Sequence, residues 1–415
     1  MREMKDSGIE WVGTIPTHWS TMPNKYVMRK IKVINPTYNG ENILSLTVNG
    51  VIVRDLEAGG KMPSSFDGYQ ILYKGNLLMC LFDYDVTPRC IGLIKDSGVS
   101  SPAYSQFVLQ RGNDAAYFYY YYLMVDHTKA LLHRAKNLRH SFTEEQLGAI
   151  KVPAPPIAEQ KRIADFLDSQ CSDIDAISAD IQKEIEILEQ YKRSVITEAV
   201  TKGLNPDAET KKSTIFYMAP YNSEWRLSKI GYECTKLARP FSPADTPLLC
   251  TNKGKVSPRP SDMTGKMVSE DNAMQGIHKG DIAIHGMDTW HGAIAMSEYD
   301  GKITRVVHVC NSKQDKRFIV YYLQQLAFND VYKLISFGIR GNTSDFRSWD
   351  KVKDIYIALP DIDEQQKISD FLDLECRRVE DIVSEKKKQL DVLDAYKKSL
   401  IYEYVTGKKE VSVQN

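Results

Sequence analysis

The feature that most constrains this chain is a long internal repeat. Residues 155–168 read PPIAEQKRIADFLD, and residues 360–373 read PDIDEQQKISDFLD. The offset is about 205 residues, roughly half of the 415-residue chain, and a repeat on that scale implies a duplicated architecture. The match continues downstream, where EQYKRSVITEAVT at 189–201 is answered by DAYKKSLIYEYVT at 394–406. Upstream the echoes are weaker. LTVNGVIVR at 46–54 resembles CTNKGKVSPR at 250–259, and Tyr73-Lys-Gly-Asn resembles His278-Lys-Gly-Asp. The second part of each half is alike and the first part has diverged. That pattern implies one shared mechanical task and two separate specificities.

The shared parts read as helices. Prolines set each start, because the residue before a proline avoids helical angles. Gly203 and Gly407 supply the ends. In the first copy Ile174, Ile177, Ile181, Leu188, Tyr191 and Val195 hold a heptad frame. In the second, Val379, Ile382, Leu393, Tyr396 and Leu400 take the same register, and Lys386 interrupts it where the first copy has Ile181. Neither helix can bury its stripe alone. The duplication therefore predicts an antiparallel coiled coil related by a pseudo-twofold axis, with a globular part at either end. The expected segments are a first globular part at 1–156, a spacer helix at 157–203, a second globular part at 204–361, a second spacer helix at 362–407 and a flexible tail at 408–415. The fold class is α+β.

The diverged parts look mixed. Strand-like runs include Ile71-Leu-Tyr, Leu77-Leu-Met-Cys-Leu-Phe, Ile282-Ala-Ile and Ile303-Thr-Arg-Val-Val-His-Val. A helix is expected around the four tyrosines at 119–122, with its counterpart around Tyr321 and Tyr322. Consecutive helical residues cannot share one face, so core packing is favoured over base stacking for the tyrosine run. The seven cysteines are scattered without a C-x-x-C pair, which argues against a disulfide framework or a zinc site and suits a reducing cytoplasm. No apolar run is long enough for a membrane span.

The formal net charge is zero, so composition does not announce a nucleic-acid binder. Local basic and amide clusters recur in both halves instead. In the first they are Thr47, Asn49 and Arg54, then Arg134, Lys136, Arg139 and His140. In the second they are Asn252, Lys253, Lys255 and Arg259, then Arg305, and Arg340 with Asn342. Arg, Lys and Asn clamp phosphates and read base edges. A solvated loop explains any one of them; recurrence at equivalent places favours DNA binding for the set.

These residues resemble a family. The twice-used proline-led helix with AEQ-x-RIA-FLD is similar to the specificity subunits of type I restriction–modification systems. The opening DSGIEWVGTIPTHW at 6–19 and the run from Ser141 to Pro156 fit the same family. Asp361 and Asp363 depart from the pattern in the second copy. The resemblance implies that each globular part is a target recognition domain reading half of a split double-stranded DNA site. It implies helices that set the gap and dock two methyltransferase subunits, with restriction subunits joining the complex. S-adenosylmethionine, ATP and Mg would then sit on the partners, with no cofactor or metal on this chain.

Motifs for catalysis are near misses. Asn35-Pro-Thr-Tyr38 has Thr37 where an adenine methyltransferase motif needs proline, and no phosphate-binding G-x-x-x-x-G-K-[ST] loop occurs. His285, Asp288 and His291 read as loop structure rather than a metal site. The expectation is a non-catalytic cytoplasmic subunit. The alternatives are a coiled-coil scaffold that binds protein alone, or a stand-alone DNA-binding regulator.

Overall fold

The computed structural model describes residues 2–57, 63–135, 140–260, 273–336 and 344–412. It forms two compact units, one of Met1–Ile181 with Lys388–Asn415 and one of Gln182–Lys387. Each repeats the same plan. The first is built on a four-stranded antiparallel sheet in the order Met28–Ile31, Ser105–Leu109, Leu77–Met79, Ile91–Leu93. The second has Cys234–Lys236, Val307–Ser312, Ile282–His285 and Ile294–Met296 in that order. A two-stranded hairpin accompanies each sheet, Leu44–Thr47 with Gly50–Val53 in the first and Leu248–Thr251 with Lys255–Pro258 in the second.

One helix covers each sheet. Ala115–His127 starts at Asp114, whose carboxylate accepts from the Tyr117 amide; Lys316–Phe328 starts at Asp315, whose carboxylate accepts from the amides of Arg317 and Phe318. These are ordinary N-caps. Tyr117, Tyr120, Tyr121 and Tyr122 are all buried in the core of their unit. The Tyr120 hydroxyl donates to Asp168 at 2.7 Å, and Tyr121 accepts from the Trp11 indole at 3.1 Å. The tyrosine run is thus core and not a stacking platform.

The run 303–309 departs from the single strand expected. It breaks at Arg305 and Val306, so that Gly301–Thr304 pairs with Met274–Ile277 while Val307–Ser312 joins the core sheet. The reason is the period of a strand. Ile303 and Val307 are fully buried, and one continuous strand would bury Arg305 on the same face. The turn leaves Arg305 exposed.

The shared segments are helices of 46 and 44 residues, Ile157–Lys202 and Ile362–Val405. Gly203 and Gly407 follow with φ of 87° and 70°, a left-handed conformation that glycine adopts without penalty. Within each unit the two helix segments run antiparallel. In the first, Phe166 meets Tyr404 at 4.5 Å between ring centroids, and Lys397 reaches Asp175 at 2.6 Å. In the second, Lys386 pairs with Glu184, and Lys192 pairs with Glu380 at 2.6 Å.

Within each unit the covered positions of the two helix segments fall at a and d of a heptad. In the first helix they run Ala164, Leu167, Cys171, Ile174, Ser178, Ile181, Ile185, Leu188, Lys192, Val195 and Ala199. In the second they run Ser369, Leu372, Cys376, Val379, Val383, Lys386, Leu390, Leu393, Lys397, Leu400 and Tyr404. This corrects the frame read from the sequence at four positions. Ile177, Tyr191, Ile382 and Tyr396 are 50%, 49%, 40% and 52% exposed, one residue away from seam positions held by Ser178, Lys192, Val383 and Lys397. Lysine suits those places because its stem covers apolar surface while its ammonium reaches an acidic partner. Exposed ion pairs contribute only about 0–1 kcal/mol each, so they select register more than they stabilise.

The Glu-Gln pair of the repeated motif ties each globular domain to its helix. The Gln160 carboxamide accepts from the Asp114 amide at 2.8 Å and donates to the Pro155 carbonyl at 2.8 Å. Gln365 accepts from the Asp315 amide at 3.1 Å and donates to the Pro360 carbonyl at 3.0 Å. Glu159 accepts from the Trp19 indole at 3.0 Å, and Glu364 from the Trp225 indole at 3.2 Å. The two carboxylates differ electrostatically. Burial pushes Glu159 up, but hydrogen bonds with His18 and Arg2, and from Trp19, outweigh it and hold its pKa below the usual value. Burial, aided by the negative charges of Asp361 and Glu224, prevails at Glu364 over its bond from the indole, and its pKa is raised.

Two predictions follow from this packing. Leu372→Ala, at a fully buried seam position, is expected to destabilise by about 2–5 kcal/mol. Ile177→Ser, on the exposed flank, should change stability by no more than about 0.5 kcal/mol. Chemical unfolding of the two variants checks this, and equal effects would contradict the seam. The second concerns pH. Glu159, with its lowered pKa, stabilises the fold above the unfolded value of 4.5, and that stabilisation is lost as pH falls through the folded pKa. Glu364, with its raised pKa, opposes folding as pH rises past 4.5, so acidification relieves it. Hydrogen exchange, corrected for intrinsic rate, should show the start of the first helix loosening in acid before the start of the second.

Candidate DNA interface

The described residues singled out in the first unit fall in two places, Thr47, Asn49 and Arg54 on or just past one hairpin, and Arg134 and His140 before and after 136–139. Thr47 and Gly50 pair across a two-residue turn, Val48-Asn49. The Thr47 hydroxyl closes it, donating to the Gly50 carbonyl at 3.1 Å and accepting from the Asn49 amide at 3.1 Å. Gly50 has φ of 94°, which a side chain would strain. Val48 is 62% exposed, and Asn49 is exposed beside it. Arg54 is half-buried past the end of the hairpin, its amide bonded to the Ile43 carbonyl at 2.7 Å.

The hairpin lies close on the core sheet because Gly92 carries no side chain. A Cβ there would sit 2.6 Å from Val51 Cγ2. A cleft of about 650 Å³ opens beside the hairpin tip, lined by Val48, Asn49, Lys95, His127, Asp175 and Lys397 among others. Burial, aided by Lys398, pushes His127 down to about 4, so it is neutral and the cleft's positive charge comes from its lysines and Arg89.

The second cluster of the first unit is partly described. Arg134 is exposed with its guanidinium 5.3 Å from the Trp11 ring centroid. His140 has a left-handed φ of 41° and contacts Asp85 at 3.1 Å. Lys136 and Arg139 lie outside the described residues. The segment 82–90 joins the two clusters, touching His140 through Asp85 and the hairpin tip through Arg89.

The second unit repeats this layout with different side chains. Its tip is the three-residue Asn252-Lys253-Gly254, with Thr251 paired to Lys255. Asn252 and Lys253 are exposed. Lys255 reaches Glu380 on the long helix at 2.9 Å, the same carboxylate that Lys192 holds. That bond braces the hairpin against the helix pair, a role its sequence context did not suggest. Arg259 is half-buried, its amide bonded to the Pro247 carbonyl at 2.9 Å. Arg305 is exposed, with Nε donating to the Met274 carbonyl at 3.0 Å. Arg340 and Asn342 lie outside the described residues, but the chain that follows them returns to the core loop. There the Phe346 amide donates to the Gly286 carbonyl at 3.0 Å, as the Phe142 amide donates to Leu81 in the first unit at 2.8 Å.

Sequence reasoning missed Arg89, whose role depends on a fold contact with the Val48 carbonyl 41 residues away. Of the near-miss motif, the Asn35 carboxamide is bonded to Glu41 at 3.0 Å. His285 contacts Asp288 at 3.3 Å, and no group of three or more metal-binding side chains occurs among the described residues. Among those residues no helix is long and apolar enough to cross a membrane.

The geometry defines a class of protein: a duplicated α+β domain mounted on antiparallel helices, with a shared clamp and divergent hairpin tips. Comparison with known proteins finds the following likenesses. Residues 65–187 match the type I restriction modification DNA specificity domain, and the chain is similar in sequence to type I restriction enzyme specificity subunits. The "putative type I restriction enzyme MjaX specificity subunit" of Methanocaldococcus jannaschii is 26% identical over 304 residues, 68% of this chain and 64% of that protein. The type I restriction enzyme MjaVIII specificity subunit of the same organism is 25% identical over 289 residues, 64% of each. The matched part thus spans just under two thirds of the length of these curated relatives. The fold is shared with a solved chain described as "Structural basis underlying complex assembly and conformational transition of the type I R-M system". That match has a TM-score of 0.67 at 14% identity, over 95% of this chain and 99% of the other.

A substitution tests how the hairpin is placed. Gly92→Ala should destabilise by about 1–3 kcal/mol through overpacking, and it should raise hydrogen exchange selectively across 44–53. Unchanged exchange there would mean that the hairpin does not depend on this close approach.

Proposed function

We propose that this chain is the DNA-recognition subunit of a type I restriction–modification complex, reading a bipartite, asymmetric duplex site and performing no chemistry itself. The observation that carries the reading is the contrast within the duplication. The clamp recurs residue for residue and the seam recurs position for position, whereas the hairpin tips, Val48-Asn49 and Asn252-Lys253-Gly254, have diverged. Two-stranded ribbons fit the major groove, and Asn and Lys are base-reading side chains. Two unlike readers on a common frame suit a site split into unlike halves.

The helices also offer a surface for partners. Asp168 and Asp373, which bind the globular domains through Tyr120 and Tyr321, occupy heptad position e. Positions c and g lie on the other flank, and exposed apolar residues gather there. They are Ile177, Val392 and Tyr396 in the first unit, and Ile382, Ile187 and Tyr191 in the second. The same set appearing once per unit suits two copies of one partner, the methyltransferase subunits, with restriction subunits joining them. S-adenosylmethionine, ATP and Mg belong on those partners in this reading, and the complex works in the cytoplasm. Partner surfaces also supply the positive charge that this neutral chain lacks.

The test is a genome-wide map of N6-methyladenine in cells expressing this chain with its neighbouring methyltransferase, against cells lacking the chain. A split, asymmetric methylated motif that disappears with the chain is the expected result. A verified complex that yields no chain-dependent motif would refute the reading.

A further inference from the structure

We propose that the Val48-Asn49 turn, held from behind by Arg89, reads base edges in the half-site of the first domain, with Asn49 on an adenine and Val48 against a thymine methyl. This rests on the DNA-reading function proposed above and adds the reading element and the base pair it selects.

Arg89 spends its guanidinium on protein. Nη1 donates to the Val48 carbonyl at 2.7 Å, Nε donates to the Ile91 carbonyl at 3.1 Å, and Nη2 donates to the Tyr119 hydroxyl. Its carbon lies 5.7 Å from the Tyr119 ring centroid, which adds a cation–π contact. A planar fork engaged on three sides fixes the turn's backbone far better than a lysine could. The Val48 carbonyl therefore points inward to Arg89, while the Val48 side chain remains 62% exposed. The Asn49 carboxamide has no hydrogen bond among the described residues.

The exposed Val48 side chain matches the methyl group that thymine presents in the major groove. An unpaired carboxamide beside it matches the acceptor and donor edge of adenine. Arg89 and Lys95 also place positive charge beside the tip, as a phosphate-lined groove requires.

Arg89 is not part of the shared frame. Ile91–Leu93 corresponds to Ile294–Met296 in the second unit, which puts Gly292 where Arg89 stands. The second tip is one residue longer and sits over the Gln324 amide instead, with Gly254 packed against it. The support beneath the tip has thus diverged together with the tip, as expected of a positioning residue for one specificity.

The experiment uses the full chain in its methyltransferase complex, after the wild-type motif is mapped. Methylation rates are measured on duplexes with each base pair varied singly. Asn49→Ala should lose discrimination at one A·T pair in one half of the motif, by roughly 5- to 150-fold, with the other half unchanged. Arg89→Lys keeps the charge and should relax the same position, while thermal unfolding of the complex stays as in the wild type. Three results would overturn the inference: an Asn49→Ala profile identical to wild type, equal weakening on every sequence with a shallower salt dependence, or relaxation in both halves. A wild-type complex without any motif would instead remove the DNA-reading function itself, and this inference with it.

Discussion

A buried carboxamide carries the coupling on which the rest of the molecule depends. Gln160 and Gln365 are 1% and 0% exposed, and each joins the cap of a domain helix to the start of a long helix. A buried amide left unbonded costs about 1–3 kcal/mol, so the clamp is far more stable closed than open. The adjacent glutamate, bonded to a buried tryptophan, orients the same junction. Together they make the angle between domain and helix a property of the motif and not of a flexible hinge. That explains why the motif is kept twice while its surroundings changed.

The heptad seam then extends this local order. Its core is made of modest residues, with Ala164, Cys171 and Ser178 in one copy and Ser369, Cys376 and Val383 in the other. Apolar burial supplies the stability, and the lysines in the seam restrict the register. Each flank of the helix pair has its own occupation. The e flank meets the globular domain through Tyr120–Asp168 and Tyr321–Asp373, and the c and g flank leaves isoleucine and tyrosine in solvent.

Among the described residues no hydrogen bond joins the hairpin tips, Val48-Asn49 and Asn252-Lys253-Gly254, to the clamp, so the tips differ while the clamp is kept. Their placement is shared, through the close approach at Gly98 and Gly301 to the strand that leads into each hairpin. Their chemistry is not. Arg89 supports the first tip, while Gln324 and the Lys255–Glu380 pair support the second.

The amino-acid sequence by itself determined the duplication, the two long helices and their glycine ends, and the family resemblance, because repeats and heptads are written in one dimension. It marked 46–54 and 250–259 as an echo between the halves but did not read them as the hairpins they form. It misjudged Tyr191 and Tyr396, because periodicity follows apolar residues and cannot see a lysine whose charge is met by a partner from the other helix; at Ile177 and Ile382 it took the larger apolar residue over the neighbouring Ser178 and Val383 that the seam covers. It cut no strand at Arg305, because burial of Ile303 and Val307 on one face emerges only when two sheets compete for the segment. Arg89 and Lys255 drew their roles from contacts with Val48 and Glu380, the latter 125 residues along the chain. Tertiary structure alone decides such contacts, since a side chain's use depends on which backbone the fold brings within its reach.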